Sequence, residues 1–344
     1  MKTKRISLIL VCAMLMTLLA GCAVPKNSEH TESSGVDAQS TAITITDHAG
    51  REVVLEKPAE RVVSADYSSS SLLIAIGARE KVVGIEMKAN TRELYKMAAP
   101  EFLELPAVDS EKGIHVEETA AISPDLVVLP KKFAEFAAKF EALSIPVIVI
   151  NPETIGVFLE TVEILGKATG CEKKASEFVS YYKKVMEDVS ARTKALADKP
   201  LVYLAGADFL KTTGKGMYQD ELITLCGGVN AAGSIKDGKW VEISPEQLLS
   251  WNPSQVYLAS YCESSKEEFA AQFSSLAAVK NDALFLFPSN IEPWDYPTAS
   301  SVLGVFWLAN MLHPDVVTAD EVNSATKDFY QTYFDISVSV ETDA

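Results

Sequence analysis

Apolar and polar positions alternate on both sides of a turn near the start of the folded body. Ile43-Thr44-Ile45-Thr46 leads into Asp47-His48-Ala49-Gly50-Arg51, and Glu52-Val53-Val54-Leu55 leaves it, which is the pattern of a β-hairpin. Short apolar runs follow at 61–64, 82–85, 125–129 and 146–150. Between them, 68–76 (closed by Gly77) and 133–143 repeat apolar residues at helical spacing. Continuous apolar strands alternating with helices predict a mostly parallel sheet covered on both faces. Turn signals then almost vanish over 154–198. After a break at 166–170, residues 172–197 hold neither Gly nor Pro, with Phe178, Tyr182, Val185, Met186 and Val189 at helical spacing. A helix of that length would run ~40 Å. Alternation resumes with a strand at 201–204, a helix at 220–226 stopped by Gly227-Gly228, a helix at 269–279, a strand at 284–287 and helices at 300–312 and 316–334. The fold class expected is α/β. Two lobes, each a mostly parallel sheet flanked by helices, are joined by a long rigid helix. The bounds are 41–153 for the N-terminal lobe, 154–199 for the spine and 200–335 for the C-terminal lobe, with 336–344 a frayed tail. A rigid spine implies modest lobe movement on ligand binding.

One unit occurs in both lobes. Glu117 is followed by Pro124 and the apolar run 127–129; Glu246, 129 positions later, is followed at the same offsets by Pro253 and 256–258. Each reads as a short helix opened by an acidic residue, a proline stop and a buried strand. A carboxylate in the first turn is favoured by the helix dipole, which alone would account for either glutamate. One exposed acid on each of two similar lobes also fits a protein that docks on a two-fold partner.

The chain ends and charge narrow the setting. Lys2, Lys4 and Arg5 precede an apolar stretch, 6–19, too short to span a bilayer comfortably, and Leu19-Ala20-Gly21-Cys22 resembles a bacterial lipobox. That resemblance implies a signal peptide over 1–22, lipidation of Cys22 and attachment to the outer face of the cytoplasmic membrane, with 23–40 as a flexible polar tether. Losing Lys2, Lys4 and Arg5 takes the formal net charge from −16 to −19. So acidic a body offers no cationic surface for nucleic acid. Cys171, Cys226 and Cys262 remain, with no Cys-x-x-Cys pair; a zinc site is not expected, at most one disulfide is possible, and three buried thiols is the simpler reading.

The body also resembles the class III (cluster A, helical-spine) substrate-binding lipoproteins of ABC importers, the family that carries iron–siderophore complexes, haem, corrinoids and some oxyanions. The likeness spans about 41–335. It rests on Asp47-His48-Ala49-Gly50-Arg51 with Pro58-x-x-Arg61-Val62-Val63-Ser64, on Gly77-Ala78 before Val82-Val83-Gly84-Ile85, and on Glu117 with Pro124-Asp125-Leu126-Val127. In the second half it rests on Leu225-Cys226-Gly227-Gly228-Val229-Asn230, on Ser244-Pro245-Glu246-Gln247-Leu248-Leu249 with Asn252-Pro253, and on Trp294-Asp295-Tyr296-Pro297. Ser254-Gln255 departs from the acidic residue more usual after that proline. The resemblance implies a monomeric, non-enzymatic carrier of a small-molecule metal chelate, ferric siderophore by default. Its partners would be a permease dimer with its ATPase, and Glu117 and Glu246 would seat against the two permease subunits. No cofactor is expected, since the ligand itself carries any metal.

Ligand recognition in such a fold falls where strand ends open between the lobes. Asp66 with Tyr67, Lys88, and Lys131 with Lys132 follow strands of the first lobe; Lys215, Tyr218, Trp240, Tyr261, Trp294 and Tyr296 are their counterparts in the second. Aromatics suit a large planar or catecholate ligand and lysines an anionic one. Trp294 and Tyr296, held between Pro293 and Pro297, form the leading pair. Ser68 to Ser71 place four hydroxyls at a helix start, where free N–H groups can hold an oxyanion, but ordinary capping accounts for the first of them more simply. A rival class is a lipid-anchored hydrolase or chelatase. Ser180-x-x-Lys183 lacks its companion Lys-Thr-Gly, however, and 206–215 has the wrong glycine spacing for a phosphate loop. His48, His115 and His313 are scattered; His115, next to the first-lobe motif, is placed to reach a ligand metal, but a surface histidine is the simpler reading.

Overall fold

The computed structural model describes residues 42–236 and 238–339. The expected signal segment with Cys22 and the tether lie outside the described residues. The N-terminal lobe opens with β1 (Ile43–Thr46) paired antiparallel to β2 (Glu52–Leu55). Asp47 shapes the turn between them. Its carboxylate accepts from the N–H of Ala49, Arg51 and the distant Val149, and from the Arg51 guanidinium at 2.5 Å. Burial works against charge on Asp47, but these donors prevail and hold its pKa below the ordinary value. The Asp47–Arg51 motif therefore clasps the hairpin onto the lobe.

Next come β3 (Val62–Ser64), β4 (Val82–Ile85), the small hairpin β5 (Asp109–Ser110) and β6 (Gly113–Ile114), then β7 (Leu126–Pro130) and β8 (Val147–Ile150). The main sheet has order β4-β3-β7-β8, every pair parallel. Alternate residues serve two cores: Leu126 and Val128 face the core that runs on into the spine, while Val127 and Leu129 pack outward with Phe140 and Val149. The second lobe holds β9 (Leu201–Ala205), β10 (Lys211–Thr213), β11 (Val229–Asn230), β12 (Trp240–Glu242), β13 (Gln255–Leu258) and β14 (Leu284–Leu286). Its parallel set β11-β9-β13-β14 repeats the arrangement of the first lobe. In addition β10 joins the end of β9 antiparallel, Thr212 opposite Ala205, and carries β12. The apolar pattern does not reveal β10 and β12, because both are three residues long and largely polar or half-exposed.

The repeated unit is a repeated structure. Helices Val116–Ala121 and Pro245–Trp251 each end just before a residue in the left-handed region, Ser123 at φ 56° and Asn252 at φ 46°, with a proline following both. Asp125 N–H donates to Arg61 O and Ser254 N–H to Leu201 O, both 2.9 Å, so each unit ties to the start of its neighbouring strand in the same way. The departure at Ser254 is accommodated locally. Asp125 accepts from the N–H of Glu60 and Arg61, whereas the Ser254 hydroxyl donates to Leu201 O at 3.1 Å.

The spine is a pair of helices, Ile155–Thr169 and Glu172–Thr193. Thr154 caps the first, and Gly170 at φ 69° closes it. Gly166, read from sequence as part of the break, is helical; a Cβ there would sit 2.4 Å from Ala175 Cβ, so it permits a close crossing of the two helices. The second helix ends at Thr193, not Ala197, and runs about 33 Å. Its end is set by the Thr193 hydroxyl, which sits 3.0 Å from both Val189 O and Leu225 O, and by Leu196 N–H returning to Thr193 O. Direct bonds also join the lobes: Tyr218 N–H to Glu153 O, Leu94 N–H to Ile291 O, and the buried Ala299 N–H to Ser71 Oγ at 3.1 Å, while Ile155 N–H ties the start of the spine to Glu221 Oε2.

Several local expectations change. Residues 133–143 form a 3-10 turn, Lys131–Phe136, and a short helix, Ala137–Glu141. The stretch 269–279 is two helices, Lys266–Gln272 and Ala277–Lys280, because Phe269, Phe273 and Leu276 turn together into one core. The last described residues are not frayed: Ile336 is buried and the Ser337 hydroxyl donates to Gln331.

Candidate functional site

Strand ends β3, β4 and β7 face the second lobe across a cleft of two chambers, about 420 Å³ and about 280 Å³. Asp66, Lys132 and Tyr296 line both and so divide them. The larger chamber takes Tyr67, Glu86, Lys88, Arg92, Asp109 and Phe133 from the first lobe, with Tyr261 and Pro293 from the second. The smaller is walled by Lys131, Asn151, Tyr218, Gln219, Trp240 and Pro297. Trp240, Tyr261 and Tyr296 form a contiguous wall of edge-to-face rings, with centroids 6.1 and 6.3 Å apart. The Trp240 ring also packs against Gly206, where a Cβ would meet the indole at 2.5 Å; that close approach accounts for a glycine in the stretch whose spacing excluded a phosphate loop.

Of the residues singled out for the ligand, Asp66, Tyr67, Lys88, Lys131, Lys132, Tyr218, Trp240, Tyr261 and Tyr296 line the cleft. Tyr218 presents its ring only, since its hydroxyl is bonded to Tyr182 at 2.7 Å. Trp294 is placed elsewhere. It is buried, its Nε1 donates to Tyr330 Oη, and it borders a separate cavity with Phe285, Phe287 and Trp307. The prolines fix the segment as expected, but its two aromatic side chains leave on opposite sides. Helix Tyr67–Ala75 begins one residue earlier than expected, capped by Asp66, whose carboxylate accepts from Ser68 N–H; Ser68 itself is not the cap. Ser68 to Ser71 are all buried, Ser70 donating to Glu86 Oε2 and Ser71 accepting across the lobes. Lys215 lies outside both chambers, His115 faces Glu118 at 3.4 Å, and Ser180 is exposed on the spine.

The residues not anticipated are Glu86, Arg92 and Asp109. Glu86 comes directly after β4 and Arg92 in the loop beyond it, so the strand-end rule that picked Lys88 reaches them too. The 3-10 turns and short helices between 89 and 104 hid the loop's course. Arg92 lies over the Tyr67 ring, Cζ 3.9 Å from the centroid, with Nε 4.0 Å from Glu86 Oε1. Burial pushes the Asp66 and Asp109 carboxyls up, and Glu86 to about 7. Among the described residues no group of three or more His, Cys, Asp or Glu side chains is arranged to hold a metal ion, and Cys171, Cys226 and Cys262 are free.

A family model described as "Periplasmic binding protein" matches residues 62–291, covering both sheets and the cleft between them. The chain belongs to this family. Among its relatives, an uncharacterized ABC transporter substrate-binding lipoprotein of Bacillus subtilis, YvrC, is 24% identical over 324 residues, covering 91% of this chain and 98% of that one. A vitamin B12-binding protein of Vibrio cholerae is 22% identical, over 66% of this chain and 80% of its own. The molybdate-bound structure of Haemophilus influenzae MolA superposes with TM-score 0.76 at 21% identity, covering 86% of this chain and 99% of that one. The binding protein is thus the substrate-binding component of an ABC transporter, and its relatives take chemically different ligands. Glu117 and Glu246, in the first turns of matching helices, are both exposed. Glu246 is held below the ordinary carboxylate range by its own backbone N–H and the Ser244 hydroxyl.

Proposed function

We propose that this binding protein captures an anionic metal chelate, a ferric siderophore first among candidates, outside the cytoplasmic membrane. It hands the chelate to an ABC permease dimer and its ATPase without turning it over. Cys22 carries the lipid anchor, and Glu117 and Glu246 seat the two lobes on the two permease subunits. One observation carries the ligand reading. Lys88, Lys131 and Lys132 line the cleft with no ion-pair partner within 4 Å among the described residues, and Arg92 has only the loose one to Glu86. Cations so weakly paired with carboxylates, beside an aromatic wall, suit a ligand that is negatively charged and partly flat. Two chambers of about 420 and about 280 Å³ are of the order of small-molecule sites, roughly 300–1,000 Å³. They exceed what a bare tetrahedral oxyanion fills.

The test is absorption and fluorescence titration of the purified protein with a ferric tricatecholate, a ferric hydroxamate, haem, cobalamin and molybdate. Stoichiometric binding of a ferric chelate, unchanged on long incubation, supports the reading. Tight binding of molybdate or cobalamin alone would move the assignment to that ligand. Turnover of the bound chelate would instead favour a hydrolase or chelatase.

A further inference from the structure

Arg92 is held in an unusual way. Its guanidinium lies over the Tyr67 ring, Cζ 3.9 Å from the centroid, and Nε is buried with no hydrogen-bond acceptor. Glu86 at 4.0 Å is its one ionic neighbour among the described residues. A guanidinium has five donors, so most of its hydrogen-bonding capacity is left for whatever enters the larger chamber. Glu86 is fixed from every side. Tyr95 Oη donates to Oε1 at 2.7 Å from helix Glu93–Ala98, and Ser70 Oγ to Oε2 at 2.9 Å from helix Tyr67–Ala75. Asp109 of β5 accepts from the N–H of Met87, the next residue along the chain, and Asp66, Lys88, Glu111 and Lys132 line the same chamber. Behind Tyr67 stands Glu292 of the second lobe, fully buried and pushed up by burial, which adds no positive charge.

We propose that Glu86 competes with the incoming ligand for Arg92, so that an anion binding at Arg92 drives a proton onto Glu86. This regulation rests on the anionic-ligand reading above. With the chamber empty, Arg92 gives the buried carboxylate its nearest positive charge. A ligand anion that takes the guanidinium donors removes that support and brings a like charge close, and both effects favour the protonated acid. The sign follows from linkage. The Glu86 pKa is higher in the complex than in the free protein, so binding takes up a proton between the two values. Affinity is level below the free value, about 7. Above it, affinity falls by up to about tenfold per pH unit for one linked proton. Glu86 would thereby set both selectivity for anions and the pH range of capture.

Two measurements test this. Carboxyl-carbon NMR of the ligand-free protein should find Glu86 titrating near neutrality, and Arg92→Gln should move that titration upward. A Glu86 that titrates with ordinary glutamates, or one indifferent to Arg92→Gln, overturns the proposal whatever the ligand is. Calorimetric titration with ferric tricatecholate at pH 7.5, in two buffers of different ionisation enthalpy, should then show proton uptake in the wild type and none in Glu86→Gln. The isosteric amide should also flatten the dependence of affinity on pH between 6.5 and 8.5. Binding without proton uptake in the wild type refutes the competition. If ferric tricatecholate does not bind at all, the ligand is not a tricatecholate, the calorimetry is run with whichever chelate the titrations above identify, and the NMR titration still decides whether Arg92 controls Glu86.

Discussion

The close crossing at Gly166 holds the spine together, and Gly166→Ala measures it. An added Cβ would lie 2.4 Å from Ala175 Cβ, against an ordinary separation nearer 3.5–4.0 Å. The helices must therefore part by about 1 Å or distort, and overpacking of this kind costs roughly 1–3 kcal/mol. Set against that is the helical preference for Ala over Gly, about 0.5–1 kcal/mol, because Gly166 lies inside the helix Ile155–Thr169. The two ranges leave a net loss of up to about 2.5 kcal/mol, centred near ~1 kcal/mol, read as a lower urea midpoint at unchanged slope. Ala175→Gly alone should cost about 1 kcal/mol by propensity. If contact between the two Cβ atoms is the cause, the double variant will be more stable than the two single losses add up to, by about 1 kcal/mol or more. Small-angle scattering of Gly166→Ala with and without ligand would show whether loosening the crossing widens lobe movement, which is expected to be small in the wild type. A Gly166→Ala protein as stable as wild type, or a double variant that is simply additive, would refute a tight crossing as the basis of spine rigidity.

Three further outcomes are expected. Of the four tryptophans only Trp240 lines the cleft, so Trp240→Phe should abolish the ligand-dependent fluorescence change while Trp294→Phe keeps it; the reverse result would put the ligand in the other cavity. Charge reversal at both Glu117 and Glu246 should nearly abolish transport in proteoliposomes while leaving ligand affinity and folding intact, since docking charges act on the complex; normal transport would remove the two-point docking surface. Replacing Cys22 with Ala should release the protein from membranes into the soluble fraction, and unchanged membrane retention would refute lipidation there.

The apolar runs at 62–63, 82–85, 126–129, 147–150, 201–204 and 256–258 could hardly be anything but buried strands, because a sheet covered on both faces leaves no polar alternation. The doubled Glu-and-proline unit was likewise legible, since its geometry is local: a short helix, a left-handed residue and a proline fix the chain over some ten positions. Loop positions just after strands also identified most of the cleft wall. Tertiary contacts decided the rest. Whether Gly166 breaks a helix or lets one pass another depends on Ala175 in the neighbouring helix, which no local signal reports. Trp294 and Tyr296 look equivalent in sequence, yet Tyr330 draws one away while the other meets Tyr261 at the cleft. Glu86 and Arg92 acquire their character from Tyr95, Ser70 and Tyr67, because burial and a single nearby charge, set only when the lobe packs, govern how a carboxylate and a guanidinium behave.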